Sequence, residues 1–410
     1  MPTNSSSSFG QLRYIPEATP GVTPATGNGV NLRMTQPSMK AAIATVKSNE
    51  IRSDRLSTGL TRTDQNVDGG FNFELSGKEY DPFLEGLLGS SFAHYGTVGL
   101  GTSFTNTTTA SSITAAAAPT GSSAFTGLTV GSWFKLVPPT SALTAVKDYF
   151  ADKWFKVHAS TAPTTTVITL DASTPLAGVG LVTAVAGYTL SQSLIANGAV
   201  LKTFTFEHAL TDVSQFLAFT GMQTDMFSLD VQVGAIVTGS FGFMGRGHTI
   251  NGATTLPGSP VLSQSLEVMN AVTDIGVVYE AGTNLLSSTS FIKGMKLDVK
   301  NNLRGQKAIA TFGNAGVGIG ELALSGSLEV YFQDATYYNK WLNGTTTSLA
   351  IGMADALGNG YLVEMDKVQF KDGALNLGAN NTDVMLSLPF NAFYSATTGR
   401  GIRITRAVAA

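Results

Sequence analysis

The side chains that could do chemistry in this chain are few, and their spacing argues against a reaction. Four histidines occur, His94, His158, His208 and His248, none at metal-ligand spacing to another. The absence of cysteine removes disulfides, thiolate ligands and a thiol nucleophile. His208 follows Glu207, but in the alternating run KTFTFEHAL adjacent residues face opposite sides of a strand and cannot address one substrate. The carboxylates Glu74, Glu79, Asp81 and Glu85 lie close in sequence. Asp81, ahead of Pro82, reads as a helix N-cap, and the others as company for that helix N-terminus or for solvent. In the glycine-rich run 313–320, Gly318, Gly320 and Ala323 fit a loose dinucleotide spacing. That fingerprint must open a helix, whereas an alternating strand pattern follows here. With no phosphate-loop, His-Glu-x-x-His or Gly-x-Ser-x-Gly motif either, the sequence predicts no enzyme, no cofactor and no metal site.

What the sequence does specify is a repeated structural element. In residues 69–92, GGFNFELSGKEYDPFLEGLLGSSF, the residues Phe71, Phe73 and Leu75 alternate with polar ones as in a half-buried strand. Phe83, Leu84, Leu87 and Leu88 then recur along one helical face, and Gly89 stops the run. Residues 320–347 repeat the design: Leu328, Val330 and Phe332 alternate, and Asp334 offers a cap. Tyr337, Tyr338, Trp341 and Leu342 follow, each 254 positions after its counterpart in the first helix (337 − 83). Two copies of one unit are expected.

Composition points the same way. The 410 residues suffice for two or three domains, only 13% are charged, and glycine is abundant at 45. Low charge with many turns and β-branched residues predicts an all-β-dominated protein, and so little charge favours self-association. A net charge of −3 argues against tight binding to nucleic-acid phosphates. The opening residues lack the basic start and apolar core of a signal peptide, and no apolar run approaches the ~20 residues of a membrane helix.

Along the chain, residues 1–30 read as an extended arm in which Tyr14 and Ile15 could anchor on a neighbour. Residues 31–102 begin a first unit. Within it, the polar hairpin 51–70 interleaves Arg52, Arg55 and Arg62 with Asp54, Asp64 and Asp68, a pattern suited to a solvated surface or to docking on another subunit. Residues 103–197 open on a low-complexity linker and read as an inserted small β-barrel, with Trp133 and Trp154 as its core. The first unit resumes over 198–250, residues 251–290 connect, and 291–410 form the second unit.

The order and spacing of these blocks is fairly specific. The run IPEATPGVTPATGNG, the block 69–92 and TFEHALTDVSQFLAFTGMQTDMFSLDVQVGAIVTGSFGFMG together resemble tail tube proteins of long, non-contractile-tailed bacteriophages, of the Chi-like, flagellum-seeking kind. The resemblance implies β-sandwich or half-barrel units, each flanked by one short helix, here 81–89 and 334–343. It implies rings whose inner strands join into a β-barrel around a channel for double-stranded DNA, and rings that stack through an N-terminal arm and a long hairpin. On this chain those contacts would fall on Tyr14, Ile15, Arg52, Asp54, Arg55, Arg62, Asp64 and Asp68. It further implies a tape-measure protein, tail terminator and tail-tip proteins as partners, assembly in the host cytoplasm, and a place in the virion tail.

Simple members of that family carry one unit per chain. With two, a ring of six units closes with three chains, a trimer of pseudo-six-fold symmetry. The rival reading is a secreted or surface β-rich adhesin, in which the inserted barrel binds sugars; an outer-membrane barrel is disfavoured by the missing signal peptide.

Overall fold

In the computed structural model the described residues are 4–99, 104–105, 112–115, 125–139, 142, 147, 150–151, 153–174, 189–263, 266–286 and 291–408. They form a predominantly antiparallel β-structure. Its first part contains β1 (Gly10–Glu17), β2 (Lys40–Lys47), β3 (Leu60–Glu74), helix α1 (Asp81–Leu88) and β4 (Ala93–Gly99). Then come β5 (Trp133–Val137), β6 (Thr189–Ala196), β7 (Thr203–Leu210), β8 (Gln215–Gln232), β9 (Thr238–Gly245) and β10 (Gly247–Asn251). The later part contains β11 (Ile275–Glu280), β12 (Ile292–Lys300), β13 (Ala323–Tyr331), helix α2 (Thr336–Leu342) and β14 (Thr347–Ala354). It ends with β15 (Gly360–Phe370), β16 (Ala374–Asn376), β17 (Met385–Ala392) and β18 (Arg403–Ala407).

One set of pairings occurs twice. β1 pairs with β7, β7 with β8, β8 with β9 and β10, β9 with β3, and β3 with β2. Likewise β11 pairs with β14, β14 with β15, β15 with β17 and β18, β17 with β13, and β13 with β12. The registers agree as well: Phe71 faces Phe241 and Glu74 faces Thr238, as Leu328 faces Leu388 and Tyr331 faces Met385. Even the irregularity is shared, since the ladder shifts between Phe204 and Phe206 and again between Thr347 and Leu349. A helix follows β3 and another follows β13. Their first residues, Asp81 and Thr336, and the left-handed glycines that follow them, Gly89 and Gly344, are both 255 apart (336 − 81 and 344 − 89). The last helical residues, Leu88 and Leu342, are 254 apart (342 − 88), the spacing read from the apolar side chains, so the two helices differ by one residue in length.

The two halves fill their cores differently. In the first, Phe71, Phe73, Phe83, Phe204, Phe206, Phe241 and Phe243 are all buried, and ring centroids such as Phe206–Phe243 lie 4.8 Å apart. In the second, Leu328, Val330, Leu349, Ile351, Val363, Leu386 and Leu388 do the same work. The helices invert the pattern. α1 buries Phe83, Leu84, Leu87 and Leu88, whereas α2 buries nothing fully: Tyr337, Tyr338 and Trp341 pack on the core edge and Leu342 is exposed.

The segment between α1 and β7 carries a second core of Ile113, Phe125, Phe134, Phe150, Phe155, Ile168 and Leu190. Trp133 and Trp154 do not belong to it. They pack with Val277, Tyr279, Ala350, Leu362 and Ala407 of the later strands. The reason is the two-residue period of a strand: Phe134 faces inward, so Trp133 must face out. These tryptophans therefore fix this segment to the rest of the chain. β6 is shared, pairing with β5, with β4 and with β18.

Candidate assembly interface

Eight strands run side by side in the order β2, β3, β9, β8, β12, β13, β17, β16, each hydrogen-bonded to the next. The middle joint, β8 to β12, links the two halves and places Leu229 opposite Leu297. Alternation gives this sheet two unlike faces. One carries Phe71, Phe241, Leu229, Leu297, Leu328 and Leu388, all buried beneath the helices and the remaining strands. The other is bare and polar: Asn72, Ser240, Ser228, Asp230, Lys296, Asp298, Ser325, Ser327, Glu329, Ser387 and Asn391. Hydroxyls dominate it. Carboxylates outnumber lysines on it, Asp230, Asp298 and Glu329 against Lys296 and Lys300, with Asp230 opposite Lys296 and Lys296 Nζ 3.6 Å from Asp298.

Two long hairpins leave the ends of this sheet. The one between β12 and β13 contains a small ladder, Arg304–Gln306 with Gly316–Gly318, and folds onto the first half. Lys307 Nζ donates to Asp64 Oδ1 and Asn66 Oδ1, both at 2.8 Å, and Asn314 Nδ2 to the Gly245 carbonyl at 2.8 Å. Arg246 donates to the carbonyls of Asn314 and Ala315. The glycine-rich run is thus part of a hairpin, and a strand follows it. The other hairpin, between β2 and β3, is exposed from residue 49 to residue 63, with Ile51, Leu56 and Leu60 open to solvent.

The structure distributes the eight predicted contact residues among several environments. Tyr14 and Ile15 are a correction. They sit on β1, buried, with the Tyr14 ring 4.7 Å from Phe83 and its hydroxyl made harder to ionise by that burial. Pairing with β7 satisfies the β1 backbone and brings Tyr14 under α1, while Ile15, on the other face of the strand, is buried beside Gly27, so both are covered within the chain rather than carried on a free arm. Asp64 is held by Lys307 of the same chain, which keeps its carboxyl below the usual range. Arg52 and Asp54 pair with each other at 2.8 Å, and Asp68 lies 3.7 Å from Lys40 on the adjacent strand. Arg55, in the left-handed region at φ 60°, and Arg62 are exposed.

The caps also need correction. Asp81 is the first residue of α1, Tyr80 stands at the cap position, and no side chain caps the helix. Asp81 instead accepts from Tyr361 Oη at 2.6 Å and pairs with Arg406, both from the later half. A cation and a phenol offer a buried carboxylate more than an orphan backbone N–H does. Asp334 does accept the Thr336 N–H at 2.8 Å, from one position before the nominal cap Ala335, and the Thr336 side chain together with this backbone bond lowers its pKa.

A polar knot that sequence reasoning missed ties the inserted segment down. Glu364 on β15 accepts from the Trp133 indole N–H at 3.1 Å, pairs with Arg403, and has Lys156 at 3.5 Å and Arg400 at 3.6 Å. The visible signal in the sequence is a repeated Trp-Phe-Lys triplet, 133–135 and 154–156: Lys156 of the second lies 5.3 Å from the Trp133 ring of the first and reaches Glu364. Glu207 is buried among Thr254, Thr255 and Arg13, on the strand face opposite His208. Among the described residues no three His, Asp or Glu side chains converge as a metal ion would need.

A family model described as "Phage tail tube protein" matches residues 10–392. No curated protein matches the chain.

Proposed function

The chain belongs to the phage tail tube protein family and is a structural component of the virion tail, and we propose that it closes into three-chain rings which stack as the tube. One observation carries this reading. The eight-stranded sheet holds two registered copies of a four-strand set, and its outer strands, β2 and β16, leave opposite edges open. Repeating the central joint between chains gives a closed barrel, which removes edges that would otherwise recruit strands at random. The two quasi-equivalent units are built on β1–β3 with β7–β10, and on β11–β18, so they take in residues 10–17 and 275–280 beyond the bounds 31–102 with 198–250 and 291–410 read from the sequence; residues 103–197 decorate them.

Width selects the number of chains. At a strand spacing of about 4.8 Å and a tilt of about 40°, three chains give a barrel of about 24 strands and roughly 45–50 Å across the backbone. Two chains give about 16 strands, the size of a porin channel. Only the wider one leaves a DNA duplex clear of the side chains. The helices cover one face of the sheet, so the bare hydroxyl-rich face lines the lumen. Its excess of carboxylates over lysines presents few cations to hold passing phosphates. During assembly the same lumen would hold the tape-measure protein, and the terminator and tip proteins would cap the ends. Ring stacking would fall to the exposed hairpin 49–63 with its apolar tips.

Electron microscopy of the purified protein, with the mass per ring, tests the reading. Rings with three chains and a near-six-fold lumen are expected. Six chains per ring, or lone particles under every assembly condition, would refute it.

A further inference from the structure

The joint between the two halves is a template for the joint between chains. Along β8, residues Met226 to Gln232 lie opposite Lys300 to Gly294. Both sides of that joint have counterparts elsewhere in the chain. Residues 36–42 correspond to 294–300, because Pro37 faces Phe71 and Lys40 faces Asp68 as Met295 faces Leu328 and Asp298 faces Ser325. Residues 372–378 correspond to 226–232, because Ala374 faces Ser387 and Asn376 faces Met385 as Ser228 faces Ser240 and Asp230 faces Thr238. Yet these counterparts lie at the two far edges of the sheet, and no described strand pairs with their outer sides.

We propose that residues 372–378 of one copy pair antiparallel with residues 36–42 of the next, in the register of the internal joint. Ala374 then lies opposite Lys40, Leu375 opposite Met39 and Asn376 opposite Ser38. The inference rests on the tube reading above and adds to it the partner surface and its register. Exposure supports it. Leu229 and Val231, covered by the internal joint, are 3% and 8% exposed, whereas Leu375 and Leu377 in the corresponding places are 39% and 67% exposed. A second copy would cover them. No like charges meet in this register. Pro37, which lacks an N–H, and Lys40 are the residues that keep an open edge from pairing indiscriminately before the right partner arrives.

The chain has no cysteine, so engineered pairs report without background. Directly opposed residues have Cβ atoms about 4.5–5.5 Å apart and can be bridged, whereas a two-residue diagonal at about 7–8 Å cannot. Tubes of the double variant Ser38→Cys with Asn376→Cys are oxidised and run on a denaturing gel without reductant. Lys40→Cys with Ala374→Cys is the second matched pair, and Lys40→Cys with Asn376→Cys the shifted control. All four positions are exposed, so folding should survive. The expected result is a covalent three-chain band from either matched pair and single chains from the control. Tubes of normal appearance in which neither matched pair links, or in which the shifted pair links equally, overturn the register and leave the tube reading standing. Failure of the unaltered protein to form tubes overturns both.

Discussion

Leu229 lies directly opposite Leu297, and these two residues, from separate halves of the chain, are 3% and 1% exposed. They mark the joint on which the eight-stranded sheet depends. Truncating either should behave as a core deletion: Leu229→Ala is expected to cost about 2–5 kcal/mol in urea unfolding. Leu375→Ala, at the open counterpart, should cost the free chain far less. Equal losses would contradict the assignment of inner and outer joints.

Asp81 joins α1 to the last strand through Tyr361 and Arg406. Asp81→Ala leaves that phenol and cation without their shared acceptor, and a loss of about 2–3 kcal/mol is expected. The pair should couple: a double-mutant cycle with Arg406→Met should return an interaction of about 1–3 kcal/mol. Strict additivity would show that the carboxylate serves only its own helix.

Acid should loosen the inserted segment. Burial pushes the Glu364 carboxyl up, but Arg403, Lys156, the Trp133 indole and Arg400 outweigh it and hold it below its ordinary value of 4.5. The unfolded chain takes up the proton first, so this contribution is complete above pH 4.5 and is lost as pH falls from there through the lower folded-state value. Melting temperature should therefore fall more steeply below pH 4.5 in the wild type than in Glu364→Gln. Parallel slopes would count against it.

Gly89 and Gly344 both follow a helix in the left-handed region, at φ 61° and 62°. A Cβ at Gly89 would lie 3.0 Å from the Gly198 carbonyl, while one at Gly344 meets nothing within 4 Å. Gly344→Ala should cost only the backbone strain, about 1 kcal/mol. Gly89→Ala should cost about 2–3 kcal/mol, because the chain after β6 must also move. Denaturant midpoints would separate the two.

The bare face can be made to grip. Asp230→Lys with Glu329→Lys adds two cations to each chain where hydroxyls dominate. Tubes so altered should retain duplex DNA at low salt and release it as salt rises, with a slope of about −0.9 per phosphate contacted. Unchanged passage would place these residues away from the lumen.

Much of this was legible locally. The alternation of Phe71 and Phe73, and of Leu328 and Val330, marks which strand faces are buried, and the helices Asp81–Leu88 and Thr336–Leu342 fall inside the expected segments 81–89 and 334–343, the second starting two residues later than its spacing suggests. Long-range partners were not legible. Tyr14 and Ile15 looked odd in a Ser- and Thr-rich arm because the strand they pair with, β7, starts nearly 190 positions later. Asp81 met every local rule for a cap, yet Arg406 lies 325 positions away and wins the carboxylate. The joint between Leu229 and Leu297 leaves no trace in either strand's own pattern, since alternation specifies a face and not a neighbour.

In the three-chain ring proposed above, the β8–β12 joint is internal, so half the contacts between units would exist as soon as each chain folds. Closure then needs the meeting of about three bodies rather than six, so nucleation should be less steep in protein concentration than for an unlinked unit. Linkage also frees the halves to differ. Ala218 occupies the place in β8 that Glu364 holds in β15, so the anchor for the outer segment is present once per chain, and such a tube would carry three projections per ring over an interior of near-six-fold regularity.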